Sequence, residues 1–410
     1  MSTNKSIKIY GFGVVAQGFY NFLVANNEEE RLNTVIIKNA NKSRKSINAI
    51  IETTNNKTVR DKDMDVIIEL ISSSEEAYGI VVENLEIGKK VISANKKLIA
   101  ENLAELIKLE KNNNATFLYE GAVCGSIPII RILNDLYANE PIEEIKGIFN
   151  GSSNYILSQL FNNGSSYQEA LAQAQQLGFA EAYPIADVGG YDALYKLIII
   201  TAHAFGKIVK PQEVLNIGIE SITKADIDFA KKHNFKIKLI AKTALFGNKL
   251  TLTVLPTLIK NEDDLYRVEN EYNGIVINSK KIGQHFYKGK GAGSLPTGAV
   301  VYSDLKAIDS NYNYSYKKLG KQNYQLNNES IITVILTIKD IINMKFIDIE
   351  LNNLYPIDSS GKQFIAKISI EELKRNKYNI LKKGISVIAI DDEIFVDELI
   401  KFSLREEAFV

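Results

Sequence analysis

The stretch 7–26 constrains this chain more than any other. A short apolar strand at Ile7–Tyr10 runs into Gly11, Phe12, Gly13, Val14, Val15, Ala16, Gln17 and Gly18, and a helical run follows from Phe19. Strand, glycine turn and helix in that order meet the needs of a dinucleotide fingerprint. Gly11 permits the tight turn, Gly13 lets the backbone approach a pyrophosphate, and Ala16 replaces the third glycine where the helix packs. The helix amino terminus at Val14 and Val15 then holds phosphate. An ordinary turn is the alternative, but this one opens an alternating series. Strands are expected at 34–37, 66–71, 91–94 and 116–120, with helices near 75–85 and 98–111. Such alternation builds an α/β fold, a doubly wound parallel sheet of Rossmann type.

Ligands of these sheets sit outside the carboxyl ends of the strands, which places Ser72, Ser73, Asn95 and Lys96 beside the cofactor. Lys96 would contact nicotinamide, phosphate or substrate, or else be a plain loop lysine. At the end of the second strand, where an acid would hold ribose hydroxyls, the chain has Lys38, with Lys42 and Arg44 close behind. That charge suits a 2′-phosphate and favours NADP over NAD; solvated loop lysines are the alternative. The segment EGAVCGSIP at 120–128 is irregular and small, and its carbonyls could coordinate a hard monovalent cation. Cys124 has no histidine near it in sequence and reads as a small buried hydrophobe.

Past residue 141 the pattern changes to α+β. A strand is expected at 143–149, strands of a second, mixed sheet at 236–245, 249–255, 274–279 and 282–287, and a helix near 167–177. Asn150, Ser152, Ser153 and Asn154 begin a helix, where they would cap it and could also donate to a substrate carboxylate. Residues 178–196, GFAEAYPIADVGGYDALYK, interleave acids, glycines and a lysine. Glu181 and Asp187 lie in a stretch broken by Pro184, with Asp187 read as a turn or helix-entry residue. Asp192 and Lys196 are one helical turn apart on a helix at 191–205 that is otherwise almost wholly apolar. Burial of both charges demands that they be paired and hydrogen-bonded, which points to a task beyond a surface ion pair. A second glycine-rich helix start, GKGAGSLPT at 289–297, permits close backbone approach to a ligand or serves as a flexible linker.

The expected organisation is a dinucleotide-binding domain at 1–140, a catalytic and dimerisation domain at 141–294, and a helix at 295–308 that returns to the first domain. A linker rich in Asn, Tyr, Lys and Ser follows at 310–330, and then a small α/β module at 331–410. In that module strands are expected at 331–338, 346–351, 364–370 and 385–390, and a helix at 371–375. The 410 residues carry equal numbers of basic and acidic side chains, unclustered, so no nucleic-acid or membrane footprint is present and the partner is a small molecule. One cysteine rules out an internal disulfide, and the first residues show no basic and apolar leader; the setting is read as cytoplasmic. The most apolar run, 197–205, falls far short of the ~20 residues a membrane span needs. His203, His233 and His285 are read as structural or solvated.

Taken together, GFGVVA at 11–16, ISANKKLIA at 92–100, YEGAVCGSIPII at 119–130, FNGSSNYIL at 149–157, LGFAEAYPIADVGGYDALYK at 177–196 and GKGAGSLPT at 289–297 resemble homoserine dehydrogenase over 7–308. The resemblance implies NADP- or NAD-dependent interconversion of L-homoserine and L-aspartate 4-semialdehyde, in the route to threonine and methionine. It implies Lys196 as proton donor, with Lys96 assisting near the nicotinamide or competing for that role. Glu181 and Asp192 become holders of the substrate's amino and hydroxyl groups, and Gly293 a cofactor contact. Glu120, Val123, Gly125 and Ile127 match the family's sodium-binding segment, largely through backbone carbonyls, with potassium as a substitute cation. A homodimer or dimer of dimers is implied as well. The sequence departs from the family's pattern at Tyr183, where relatives carry an acid, at Ala16 and Gln17 in the cofactor loop, and at Gly121 and Cys124. Many bacterial relatives end in a threonine-sensing ACT module whose first turn carries glycine. Here 339–344 read KDIINM, so an ACT-like or divergent module is expected, with an oligomerisation appendage as the rival.

Overall fold

The structure, a computed structural model, describes residues 5–39, 47, 49–53, 63–338, 354–357 and 361–407. Lys42, Arg44, the KDIINM run at 339–344 and the strand expected at 346–351 lie outside the described residues. The chain divides into two compact units, one built from 1–141, 198–211 and 289–322, the other from 142–197, 212–288 and 323–410.

The first unit holds a six-stranded sheet in the order Ile50–Thr53, Leu32–Ile37, Ile7–Tyr10, Val66–Glu69, Lys90–Ser93, Thr116–Leu118. Every pairing in it is parallel. The two central strands, IKIY and VIIE, are buried at all four positions, as helices on both faces require. This is the doubly wound sheet read from the alternation, and the short edge strand Ile50–Thr53 is its addition. Two helices, Val14–Ala25 and Ser294–Asp309, pack backbone against backbone. A Cβ on Gly18 would lie 1.8 Å from the Ser294 carbonyl oxygen, and one on Gly298 would lie 2.4 Å from the Gly18 carbonyl carbon. The returning helix expected at 295–308 is therefore held by two glycines that allow this approach.

The first part of the stretch read as a linker, 310–322, is packed into this unit. Tyr314 and Tyr316 are buried with Tyr119 and His203. The Tyr119 hydroxyl lies 2.8 Å from His203 Nε2 and 3.0 Å from the Tyr316 hydroxyl. Burial pushes the His203 imidazole down to about 3, so the ring stays neutral and structural. The correction has a physical reason: large rings at alternate positions bury too much apolar surface to remain in solvent.

The second unit is organised by an eleven-stranded mixed sheet whose main path runs Gly283–Lys290, Tyr272–Ser279, Ile142–Ile148, Phe235–Phe246, Lys249–Lys260, Ser386–Ile390, Ile331–Thr337, Gln363–Ser369, Leu354–Pro356. Leu215–Asn216 and Gln325–Leu326 pair with Lys249–Lys260 off this path. The tail is thus continuous with the mixed sheet, through parallel pairs Thr257 with Ala389 and Leu258 with Ile390. One apolar core joins Leu215, Ile217 and Leu255 to Val334, Leu336, Ile368, Leu373 and Ile380. The helix expected at 371–375 extends over Ile370–Lys382, started by a capping box between Ser369 and Glu372. Helices Lys224–Lys232 and Glu393–Glu407 were not anticipated.

Candidate active site

In the first unit the fingerprint turn is built as its glycines predict. Gly11 has φ of 87° and no room for a Cβ, which would lie 2.8 Å from Ile71 Cγ2 and from the Leu70 carbonyl oxygen. Gly13 is extended and a Cβ there would meet nothing within 4 Å, so the backbone is open on that side. The helix begun by Val14 and Val15 has Gly13 as its N-cap residue, which supplies no side-chain cap. By contrast, Ser73, Asn95, Asn150, Ser166, Thr223 and Ser369 each cap their helix with a side-chain oxygen. First-turn N–H groups that the N-cap side chain does not occupy, at the positive end of a helix, are the donor set an anion needs. The helix starting at Ser294 is uncapped too, with Gly293 at φ 126°, and the Ser294 hydroxyl donates to the Val14 carbonyl at 2.8 Å. Gly293 and Gly13 are thereby brought together at two adjacent helix starts.

Behind these turns lies a closed ring of hydrogen bonds. The Glu69 carboxylate accepts from Ile71 N–H at 2.7 Å and from the Ser93 hydroxyl at 2.5 Å. Ser93 Oγ accepts from Asn95 N–H at 3.1 Å, and the Asn95 amide donates to the Ile71 carbonyl at 3.3 Å. Burial pushes the Glu69 carboxyl up to about 7. The ring fixes the loops that carry Ser72 and half-buried Lys96, the first residue of the helix Lys96–Asn112. Lys38 is exposed and pairs with Glu76 at 3.0 Å.

The segment 119–128 is bent by consecutive left-handed residues, Cys124 at φ 54° and Gly125 at φ 59°. Ser126 N–H donates to the Lys290 carbonyl at 3.0 Å, and a Cβ on Gly125 would lie 2.3 Å from that oxygen. Cys124 is buried, as read. The Glu120 side chain accepts from Ile130 and Arg131 N–H at 2.7 and 2.9 Å, the cap of the helix Ile129–Asp135. Burial, reinforced by Asp304, pushes its carboxyl up to about 8; burial raises Asp304 to about 6 although the Arg131 guanidinium lies 2.5 Å away. The main-chain oxygens of Glu120 and Ile127 accept from Val123 and Ile129 N–H. Among the described residues, the carbonyls of Val123 and Gly125 receive no such donor. Of the four residues matched to a cation site, Val123 and Gly125 thus keep carbonyls without a backbone donor among the described residues, while the Glu120 side chain serves a helix start.

In the second unit the expected charge pair is present and buried. Lys196 Nζ donates to Asp192 Oδ2 at 2.7 Å and to the Phe149 carbonyl at 2.7 Å, on the helix Tyr191–Phe205. Asn150 caps the helix Gly151–Asn163 through its Oδ1, and its Nδ2 donates to Asp192 Oδ2 at 3.0 Å and to Asp187 Oδ1 at 2.7 Å. Asn273 Nδ2 adds a second donor to the Phe149 carbonyl at 3.2 Å. Two of the three ammonium protons of Lys196 are therefore committed, and both acids share one amide. Glu181 is exposed, outside this cluster.

Two family profiles match this chain: one described as homoserine dehydrogenase over residues 128–305, the other as homoserine dehydrogenase, NAD binding domain, over residues 11–120. The chain belongs to the homoserine dehydrogenase family. A homoserine dehydrogenase from Helicobacter pylori is 40% identical over 250 residues, 61% of this chain and 59% of that protein. The match thus spans under two thirds of that relative's length. One from Lactococcus lactis is 29% identical over 84% of this chain and 82% of its own. The crystal structure of a homoserine dehydrogenase from Thiobacillus denitrificans superposes with a TM-score of 0.79, at 25% identity, over 95% of this chain and 98% of that one.

The NAD-binding profile falls on the fingerprint helix and on the strands of the six-stranded sheet that follow Ile7–Tyr10. Two residues of the buried cluster were undervalued in the sequence. Asp187, read as a turn or helix-entry residue, sits on the short helix Ile185–Val188 and shares the Asn150 amide with Asp192. For Asn150 the sequence offers a cap or a substrate donor, and it is a cap that also bridges two carboxylates. The pointer available was an Asx residue with a second acid five residues before Asp192.

Proposed function

We propose that this chain catalyses the NAD(P)-dependent interconversion of L-homoserine and L-aspartate 4-semialdehyde, in the cytoplasmic route to threonine and methionine. The observation that carries this reading is the buried Lys196 ammonium, pinned by the Phe149 carbonyl and Asp192 with one proton left to give. Nicotinamide, when bound, supplies or accepts the hydride at the carbon that bears the reacting oxygen. As the aldehyde is reduced, Lys196 donates its remaining proton to the carbonyl oxygen and stabilises the charge developing there; in the reverse direction it takes the hydroxyl proton. Asp192 orients the ammonium, and with Glu181 it holds the substrate's amino and hydroxyl groups. Lys96, the first residue of its helix, would lie near the nicotinamide and is the second candidate for the proton.

Gly11, Gly13, Val14, Val15, Ser72 and Gly293 would hold the dinucleotide, their fit supported by two uncapped helix starts and the open side of Gly13. NADP is favoured through Lys38, whose exposed pair with Glu76 is weak enough to yield to a 2′-phosphate. A sodium or potassium ion would be held by carbonyls of the 120–127 segment, those of Val123 and Gly125 first. A homodimer or dimer of dimers and an ACT-like tail complete the reading, with saturable threonine binding by titration calorimetry as the check on the tail. The deciding experiment follows NADP and NAD reduction by L-homoserine with sodium or potassium present. Turnover is expected with at least one dinucleotide, more with NADP, and silence with both overturns the proposal.

A further inference from the structure

The segment that leads into the helix Tyr191–Phe205 is gripped by the strand Leu215–Asn216 and the turn that follows it. Ile219 N–H donates to the Val188 carbonyl at 2.8 Å, and Asn216 Nδ2 donates to the Gly189 carbonyl at 2.9 Å. Contact is so close that a Cβ on Gly218 would lie 2.0 Å from the Val188 oxygen. Gly190 follows at φ 76°, and its carbonyl accepts the Leu194 N–H of the helix that carries Asp192 and Lys196. Asn216 is itself buried and has its other end occupied. Its Oδ1 accepts from Lys377 Nζ at 2.7 Å. Lys377 comes from the helix Ile370–Lys382 in the tail, more than 160 residues further along the chain. The same ammonium lies 5.2 Å from the ring centroid of Tyr191, the first residue of the catalytic helix. Burial lowers the Lys377 ammonium from its ordinary range, and Glu220 offsets part of that effect.

We propose that Lys377 is a positioning residue for the Asp192 and Lys196 pair, acting through Asn216 on the Gly189 carbonyl and directly on the Tyr191 ring. The amide of Asn216 is polarised by the ammonium, so its grip on Gly189 is that of a charge-assisted chain. The same cation on the Tyr191 ring restrains the first turn of the helix directly. Asp192 and Lys196 follow on that first turn and the next, so a rotation of the helix start would carry them away from Asn150 and from the Phe149 carbonyl. The tail then takes part in shaping the substrate site.

This inference rests on the reading of Lys196 as proton donor, and the test separates the two. In the full chain, Lys377→Met keeps the length of the stem and removes the ammonium; Lys377→Arg restores a cation. With L-homoserine and NADP, Lys377→Met is expected to lower kcat/KM by about tenfold while dinucleotide affinity stays within about twofold, and Lys377→Arg to recover most of the loss. Independently of turnover, amide hydrogen exchange across 189–197 should quicken about tenfold in Lys377→Met and stay unchanged at 98–107. Combined with Asn216→Ala, the methionine variant should add less than its own single effect, as members of one chain do. Unchanged exchange at 189–197 in Lys377→Met overturns the proposal, as does an activity loss that Lys377→Arg fails to recover. If the wild-type chain leaves L-homoserine untouched, the functional reading falls and the exchange experiment still decides the positioning role.

Discussion

Lys196 illustrates how a single buried charge is made tolerable and useful at once. Its ammonium has a carboxylate and a carbonyl as partners, so truncation leaves Asp192 buried beside an empty place. Lys196→Ala is expected to lower kcat by about 10² to 10⁴, with dinucleotide affinity retained. Turnover and cofactor titration on the same preparation check this, and near-normal turnover would remove Lys196 from the chemistry. A buried acid elsewhere, Glu110, accepts from Phe117 N–H and is pushed by burial from 4.5 up to about 7. The folded chain holds this proton more tightly than the unfolded chain, so the group favours folding below the unfolded value. Its contribution is lost as pH rises towards 7, by about 3 kcal/mol at most. Glu110→Gln should therefore gain melting temperature relative to wild type between about pH 5 and about pH 8; a constant difference across that range counts against it. At this scale the residue types were legible wherever a charge sat on an apolar helix, as with Asp192 and Lys196. Asp187 was not, because its role depends on an Asn150 amide 37 residues away.

Among the elements, the helices Val14–Ala25 and Ser294–Asp309 depend on the absence of side chains at Gly18 and Gly298. A methyl on Gly18 would force the pair apart and displace the start of both helices, including the Ser294 bond to Val14. Gly18→Ala is predicted to lower the melting temperature by about 5 °C and to weaken dinucleotide binding. Gly79, inside the helix Ser74–Glu86, meets nothing within 4 Å and serves as the control. Gly79→Ala should be neutral or stabilising, since alanine is the better helix former. Equal effects of the two substitutions would show that backbone packing is not the cause. Element types were largely readable, because strands and helices of the first sheet carry clear periodicity and caps. The anchoring of 310–322 through buried Tyr314 and Tyr316 was masked by its polar residues, although Tyr312, Tyr314 and Tyr316 alternate with the period of two that marks one inward face.

For the whole molecule, the sheet that joins the tail to the second unit is the feature least legible in the sequence. Pairing between Thr257 and Ala389 is set by long-range register, which no local pattern encodes. Its consequence is testable by ending the chain at residue 330. That truncation would uncover Leu215, Ile217 and Leu255 and leave the end of Lys249–Lys260 without its parallel partner, so aggregation or loss of cooperative melting is expected. A truncated chain that stays monodisperse and melts as sharply as the full one would show the tail to be a separable module. The interrupted path of the first unit has a further consequence, in time. During synthesis the groove at Gly18 emerges from the ribosome roughly 280 residues before the helix Ser294–Asp309 that fills it, a delay of about 15 to 60 s at ordinary elongation rates. The dinucleotide-binding sheet must therefore wait, with one helix unpartnered, until almost three quarters of the chain has been made.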